Sequence, residues 1–256
     1  MKQEQHRATA RVLDILEYLA AANGDGHTLT ELAAALDAPK SSLFPIIHTL
    51  AERKYIQLER DTGKYCIGIG TYALGESFVA GKDSMELTLQ AMSRVVSDCE
   101  ETCQLAVLDG DKVLYLGKVD SPHAIRMISH VGARLPANST ALGKALLSGL
   151  TDSEVRELYA EGMHQMTEHT INDIDVLLEQ INQVRGGAPA WEREESNLHI
   201  SCCAVPICSK GKVLAAVSVS VPIFRLDEDK ERVVTASLFR AKKEIEQLSE
   251  ERGFFL

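Results

Sequence analysis

The sequence predicts an α+β protein built in two parts. Three observations carry this: a helix-turn-helix spacing followed by a hairpin within the first seventy residues, two turn signals flanked by alternating strands far apart in the remainder, and amphipathic helical patterns around them. The expected boundaries are a winged helix-turn-helix over residues 1–70, a linker helix over 71–82, and a larger domain with an antiparallel sheet flanked by helices over 83–256.

Ala10, Leu13, Leu16, Leu19 and Ala20, with Val12 and Ile15 beside them, form the apolar side of a first helix. Thr28 and Glu31 have the S/T-x-x-E spacing of a capping box, so a second helix starts near Leu29. Leu32, Ala33 and Leu36 give it an apolar face, and Asp37-Ala38-Pro39 ends it, since proline cannot extend a helix. A third helix starts around Ser41. Its Leu43, Ile46, Ile47 and Leu50 fall at i, i+3, i+4 and i+7, which turns Ser41, Ser42, Phe44, Pro45, His48 and Thr49 outward, where a recognition helix meets the major groove. Two β-favouring runs around Thr62-Gly63 then make a wing. The residues expected on DNA are Thr28, Lys40, Ser41, Ser42, Phe44, His48 and Lys64.

Charge qualifies this reading. Residues 1–70 hold eight Lys/Arg against nine Asp/Glu, and DNA affinity leans on phosphate neutralisation. A positive face is available from Lys2, Arg7, Arg11, Lys40, Arg53, Lys54, Arg60 and Lys64, and dimerisation doubles its contacts. Residues 71–256 carry 19 Lys/Arg and 28 Asp/Glu, so the larger part is expected to avoid DNA. The 256-residue length and 45% hydrophobic content suffice for two cores. With no run of eighteen apolar residues and no apolar leader after MKQEQHRATARV, the expectation is a soluble cytoplasmic protein without a membrane partner.

The linker helix is read from Thr71 to Ala80, with Leu74 and Phe78 four apart and Gly81 as its stop. A helix follows from Leu87 to Cys99. Strands Gln104–Leu108 and Val113–Val119 flank the Asp109-Gly110-Asp111 turn, and a third strand is expected at Ile125–Ser129. Helices are expected at about Ser139–Leu147, Ser153–Tyr159 and Asp173–Val184. Strands Ile200–Ile207 and Lys212–Val221 surround Cys208-Ser209-Lys210-Gly211, and a helix from Asp227 to Glu250 closes the chain. Hairpin-joined strands mixed with helices imply an antiparallel sheet covered on at least one face.

Cys66, Cys99, Cys103, Cys202, Cys203 and Cys208 sit in apolar segments and read as small buried side chains rather than disulfides. Cys202 and Cys203 are adjacent on a strand and so point to opposite faces, and no second pair has zinc-ligand spacing; neither a metal nor a cofactor is expected.

The segments LTELAAALDAPKSS, ERKYIQLERDTGKYCIGIGTYALG, EETCQLAVLDGDKVLYLGKVDS, VGARLPANSTALGKALL and CCAVPICSKGKVLAAVSVSVPIFRL, in that order, resemble the IclR family of bacterial transcriptional regulators over essentially the whole chain. The resemblance implies a winged helix-turn-helix joined to a GAF-like effector domain. It also implies a double-stranded operator as partner, a homo-oligomer that is a dimer or a dimer of dimers, and a small carboxylic, hydroxy or aromatic acid as effector. The matching effector positions are Gly132 and Ala133 in a glycine-containing loop, Glu192 where the family commonly has Asp, Cys202, Ser218 and Ser220. Their chemistry is sensible on its own: Ser218 and Ser220 are two apart on a strand and share a face, Cys202 lies on the strand expected to pair with theirs, and free loop amides at Gly132 and Ala133 would add donors. Glu192 would repel an acidic ligand unless protonated or used to accept a ligand hydroxyl.

Two departures stand out. Pro45 occupies a position that is polar or basic in the family's K-S-T-x-x-R-L-L pattern; it crowds the Ser41 carbonyl, so the helix is expected to begin late. Gly187-Ala188-Pro189-Ala190-Trp191 replaces a usual Gly-Tyr-Ala run. The expected function is a ligand-controlled repressor of a catabolic operon. The alternatives are an activator of the same family, a scaffold binding neither DNA nor metabolite, and a cysteine-dependent enzyme acting on a small acid. For the last, His199 and Cys202 are the candidate pair, and their spacing of three puts them on opposite faces of a strand.

Overall fold

A computed structural model describes residues 6–22, 24–79 and 83–252. The chain forms two compact units, Met1–Gly81 and Lys82–Leu256.

The first unit holds α1 (Arg7–Ala21), α2 (Leu29–Ala35), α3 (Lys40–Glu52), the hairpin β1 (Ile56–Glu59) and β2 (Lys64–Ile67), and α4 (Ile69–Val79). Ile15, Leu19, Leu32, Leu43, Ile47, Leu50 and Ile56 close its core. The stripe that α1 buries runs through Ile15 and Leu19 with Val12 and Leu16 packed beside them, while Leu13, expected inside, is exposed. The capping box of α2 is formed: the Glu31 amide donates to Thr28 Oγ1 at 3.3 Å and the Thr28 amide donates to Glu31 Oε2 at 2.7 Å. Asp37 takes a positive φ of 43° and reverses the chain after α2.

α3 does not begin late. It starts at Lys40, with Pro39 as N-cap. The fixed φ of Pro39 sets the helix entry, and the Ser42 hydroxyl donates to the Pro39 carbonyl at 2.8 Å. Pro45 is tolerated because the carbonyl it leaves without a donor, that of Ser41, lies in the first turn near solvent. The wing hairpin is widened by His27, whose backbone exchanges hydrogen bonds of 2.9 and 2.8 Å with Tyr65. α4 starts two residues before the expected Thr71; its expected end at Ala80 and Gly81 lies outside the described residues, as does Lys2.

The second unit contains α5 (Asp83–Cys99), β3 (Thr102–Asp109), β4 (Lys112–Val119), β5 (Arg134–Pro136), α6 (Ala141–Leu147), α7 (Asp152–Leu158), α8 (Ile174–Arg185), β6 (Ala190–Arg193), β7 (Ile200–Ser209), β8 (Lys212–Pro222) and α9 (Glu228–Arg252). The strands form one antiparallel sheet in the order β5-β4-β3-β8-β7-β6. α5 and α9 cover one face, with Met92, Val95, Leu105, Val205, Val217, Val219, Leu238 and Ile245 in the core between. Arg94 with Glu244 and Arg240 with Asp98 tie the two helices together at their exposed sides.

The other face presents Ala106, Ala204 and Ala216, small side chains that let the wholly buried α6 lie close, with α7 and α8 outside it. The turn that enters α6 is packed tighter still: at Gly143 a Cβ would stand 1.9 Å from the carbonyl oxygen of Ala137, which lies in the short turn before the helix.

Two elements differ from expectation. Ile125–Ser129 is not a strand; Ile125 and Ile128 are exposed, and the Ile125 carbonyl accepts from Arg225 at 2.9 Å instead of from a neighbouring strand. The edge strand next to β4 is Arg134–Pro136. At the opposite edge, β6 was not expected, being only four residues long and too short for alternation to show. No helix among the described residues is long and apolar enough to cross a membrane.

Gly143→Ala is expected to destabilise the second unit by at least about 2 kcal/mol, because the clash is with backbone that cannot rotate away. Denaturant unfolding followed by tryptophan fluorescence, which reports on Trp191, measures it.

Candidate functional site

The polar side chains of the sheet gather at one end of the alanine face. Strand pairing lines them up: Glu192 opposite Cys202, Cys202 opposite Ser220, Ser220 opposite Thr102, and in the next row Ser218 opposite Gln104. Cys202 Sγ lies 3.2 Å from Ser220 Oγ. The Ser218 and Ser220 hydroxyls both donate to Gln104 Oε1, at 3.1 and 3.2 Å, and Gln104 Nε2 reaches Ser220 Oγ at 3.1 Å. Gln104, Glu192, Ser218 and Ser220 are buried and Cys202 is half-buried.

Glu192 is held from one side by the turn after β6. Its Oε2 accepts from the Glu195 amide at 2.8 Å and its Oε1 from the Ser196 hydroxyl at 3.1 Å. Burial raises its pKa above the ordinary carboxylate value in spite of these donors. Beneath it lies Lys144 of α6, with no exposed side chain, donating to the Trp191 carbonyl at 3.1 Å and to Glu195 Oε1 at 2.5 Å. Burial lowers the Lys144 pKa and the Glu195 charge opposes that shift. The second oxygen of Glu195 is buried without a partner among the described residues.

Gly132 and Ala133 do not offer free amides. Gly132 donates to the Tyr115 carbonyl at 2.8 Å and Ala133 to the His130 carbonyl at 3.1 Å, because the loop folds back onto β4 to start β5. The irregular segment 120–133 is thus tied to Tyr115 at one end and, through the Ser121 amide on Thr102 Oγ1 at 3.1 Å, to the polar row at the other. The structure therefore brings Glu192, Cys202, Ser218 and Ser220 together and gives the two loop residues another task.

Gln104, Glu195, Ser196 and Lys144 were not expected here. Two signals were present: Gln104 is the one strongly polar residue in TCQLAVL, and Lys144 is the one charge in the apolar helix ALGKALL. The Cys202–His199 pairing fails: the His199 side chain is 88% exposed, and burial with the Glu192 charge pushes the Cys202 thiol well above its ordinary pKa. The six cysteines are all free thiols. Among the described residues no group of three or more His, Cys, Asp and Glu could hold a metal ion.

In the first unit the outward face of α3 carries Lys40, Ser41, Ser42, Phe44, Pro45, His48 and Thr49, all exposed. Ser42 also accepts from Arg11 at 3.3 Å, which leaves its hydroxyl committed at both lone-pair and proton; Thr28 is committed to its cap. Phe44 and His48 lie one turn apart with ring centroids 6.4 Å from each other. Lys64 in the wing donates to the Asp25 carbonyl at 3.2 Å.

Two family models match this chain: the IclR helix-turn-helix domain over residues 8–60, and the bacterial transcriptional regulator IclR C-terminal domain over residues 77–247. The chain belongs to the IclR family. Its members are transcriptional regulators, not enzymes. The chain is 31% identical over 228 residues to the HTH-type transcriptional regulator KdgR of Dickeya chrysanthemi, covering 88% of this chain and 74% of that protein. It is 28% identical to the HTH-type transcriptional repressor AllR of Salmonella typhimurium, over 89% of this chain and 84% of that one. An IclR homologue from Microbacterium hydrocarbonoxydans, solved in complex with 4-hydroxybenzoate, shares the fold with a TM-score of 0.82 at 22% identity, covering 94% of this chain and 98% of its own.

Lys144→Met is expected to cost about 3–5 kcal/mol, since it strands the Glu195 carboxylate without its buried partner. The double variant Lys144→Met, Glu195→Leu recovers most of the loss, and chemical denaturation of the four proteins in the cycle gives the coupling.

Proposed function

We propose that the protein is a ligand-responsive repressor of a catabolic operon, acting in the cytoplasm as a dimer or dimer of dimers. Residues 1–70 form its reading head, 71–82 connect, and 83–256 hold the effector site and the oligomer contacts. The observation that carries the reading is the buried polar row Gln104, Ser218, Ser220, Cys202 and Glu192 in a sheet otherwise faced with alanine and valine. Hydroxyls satisfied by the Gln104 amide and by Cys202 in an otherwise apolar sheet are ready to exchange those bonds for a ligand's.

The effector class that suits the row is a small hydroxy or aromatic acid. Ser218, Ser220 and Gln104 supply neutral donors, and Glu192, with its raised pKa, takes a proton so that it does not oppose the acid. In this reading the segment 120–133, tied to the row through the Ser121 amide on Thr102, shifts on binding and brings Gly132 and Ala133 into contact. The repressor names of relatives such as AllR favour repression over activation. On DNA, Ser41, Phe44 and His48 are positioned for base edges, Lys40 and Lys64 for phosphates, and Thr28 and Ser42 hold the two helix starts that aim them.

Binding of the full chain to the DNA upstream of its own gene and its neighbours, measured by fluorescence anisotropy, is expected to weaken steeply with salt; Lys40→Ala lowers the magnitude of the log–log salt slope by about one. Absence of any shift at low salt sinks the DNA reading. An acid effector such as 4-hydroxybenzoate or a 2-hydroxy acid is expected to raise the melting temperature of wild type and to do so much less in Ser220→Ala.

The pH dependence has a fixed sign. A negative ligand beside Glu192 raises its pKa further, so binding takes up a proton and affinity increases as pH falls. Glu192→Gln removes that dependence, and isothermal titration in buffers of different ionisation heat counts the proton.

A further inference from the structure

The outward face of α3 is apolar at its centre. Phe44 is 54% exposed, Pro45 beside it is exposed, and neither belongs to the core of the first unit. Pro45 also costs the helix a backbone bond to the Ser41 carbonyl, so helix stability gives no reason for its presence.

The polar groups of the same face are few and mostly spent. Of the exposed side chains between Lys40 and Glu52, none is Arg, Asn or Gln, the residues that grip guanine or adenine with two hydrogen bonds at once. Ser42 donates to the Pro39 carbonyl at 2.8 Å and accepts from Arg11 at 3.3 Å, and Thr49 donates to the Pro45 carbonyl at 2.9 Å. His48 has its Nδ1 3.7 Å from Glu52 Oε2, which leaves Nε2 for one base edge. Beyond Lys40, placed for a phosphate, the polar readers are therefore Ser41 and His48.

The major groove presents one apolar group, the 5-methyl of thymine. A recognition helix offers the side chains of its N-terminal half to base edges, and Phe44 and Pro45 are the fifth and sixth residues of α3.

We propose that Phe44 and Pro45 read thymine methyl groups, so that the head selects its operator by where thymines stand more than by hydrogen bonds to bases. The inference rests on the reading of the protein as an operator-binding regulator and adds to it the chemistry that tells one duplex from another. Burial of one methyl against this pair is worth about fourfold in affinity. A cytosine in the same place brings an amino group that neither side chain can accept from, so the wrong base is penalised as well as unrewarded.

The test uses the full chain and the shortest duplex that it protects from cleavage within the DNA upstream of its own gene and its neighbours. That duplex is made twice, with thymidine and with 2′-deoxyuridine, which lacks the methyl and keeps every hydrogen-bonding group. Fluorescence anisotropy at one fixed salt concentration gives the two affinities. With two methyls per head at about fourfold each, wild type is expected to bind the uracil duplex at least about tenfold more weakly. Phe44→Ala and Pro45→Ser each narrow that ratio, and the double variant binds the two duplexes within about twofold of each other. Both positions lie outside the core, circular dichroism checks that the variants fold, and the wild-type comparison needs no variant. Equal affinity of wild type for the two duplexes overturns the proposal and leaves the repressor reading standing. A wild-type ratio that the double variant keeps also overturns it, since the discrimination then comes from duplex shape. Failure of wild type to bind any DNA sinks both.

Discussion

The second unit is organised by the need to satisfy one buried ammonium. Lys144 sits in the middle of a helix with no exposed residue before Ser148, so its charge can be tolerated only if partners come to it. They come from β6 and the turn after it: the Trp191 carbonyl on the free edge of the sheet and the Glu195 carboxylate. Those two bonds give a four-residue edge strand a reason to stay in register. They also set the turn whose amide and hydroxyl groups hold Glu192 in the polar row. An uncharged residue in place of Lys144 would pack as well in the alanine groove, yet it would leave the turn to choose its own conformation.

The two faces of the sheet divide the work. Toward α5 and α9 the strands present Leu, Val and Ile, and the packing there is that of an ordinary core. Toward α6 they present alanine, and the close approach that alanine permits leaves the end of the same face, beyond α6, to hydroxyls and an amide. Those groups pair with one another in the order that strand register dictates, so their spacing is fixed by backbone rather than by side-chain rotamers. As the proposed effector site, the row would discriminate by shape and by hydrogen-bond count, because a guest that satisfies only part of it leaves the remainder buried and unpaired.

Where the sequence spoke through local chemistry, it spoke clearly. Thr28 and Glu31 fixed a helix start, Leu43 with Ile47 and Leu50 fixed a buried stripe, and the Asp-Gly-Asp turn fixed the central hairpin, since each depends on residues within one or two turns of each other. Pairing between distant strands was legible for Cys202 with Ser220, whose strands share one hairpin. Gln104 was not, because its place between the serines is made by β3 crossing to pair with β8 more than a hundred residues later. Lys144 and Glu195 were hidden for the same reason, their contact being a matter of tertiary packing. The segment Ile125–Ser129 differs because its apolar residues suggest a strand while its Ile125 carbonyl is taken by Arg225 rather than by a neighbouring strand.

The first unit poses a different constraint, which is how a head with slightly more acid than base grips a polyanion. Charge placement answers it better than charge total. Three of the head's acidic side chains are already engaged: Glu31 in its cap, where Thr28 holds its pKa down, Glu59 with Thr62, and Glu52 beside His48 at the far end of the helix. Lys40 stands at the start of α3, where the helix dipole already favours an anion, and Arg11 is drawn to the same place by Ser42. A phosphate at that helix start meets those donors at short range, and screening over about 8–10 Å weakens the pull of more distant acids. Such a head gains little from long-range attraction, so short-range fit carries more of its hold on DNA, and the proposed dimer would add a second half-site. In the proposed dimer, a small change in the spacing of paired heads would decide whether DNA is bound at all.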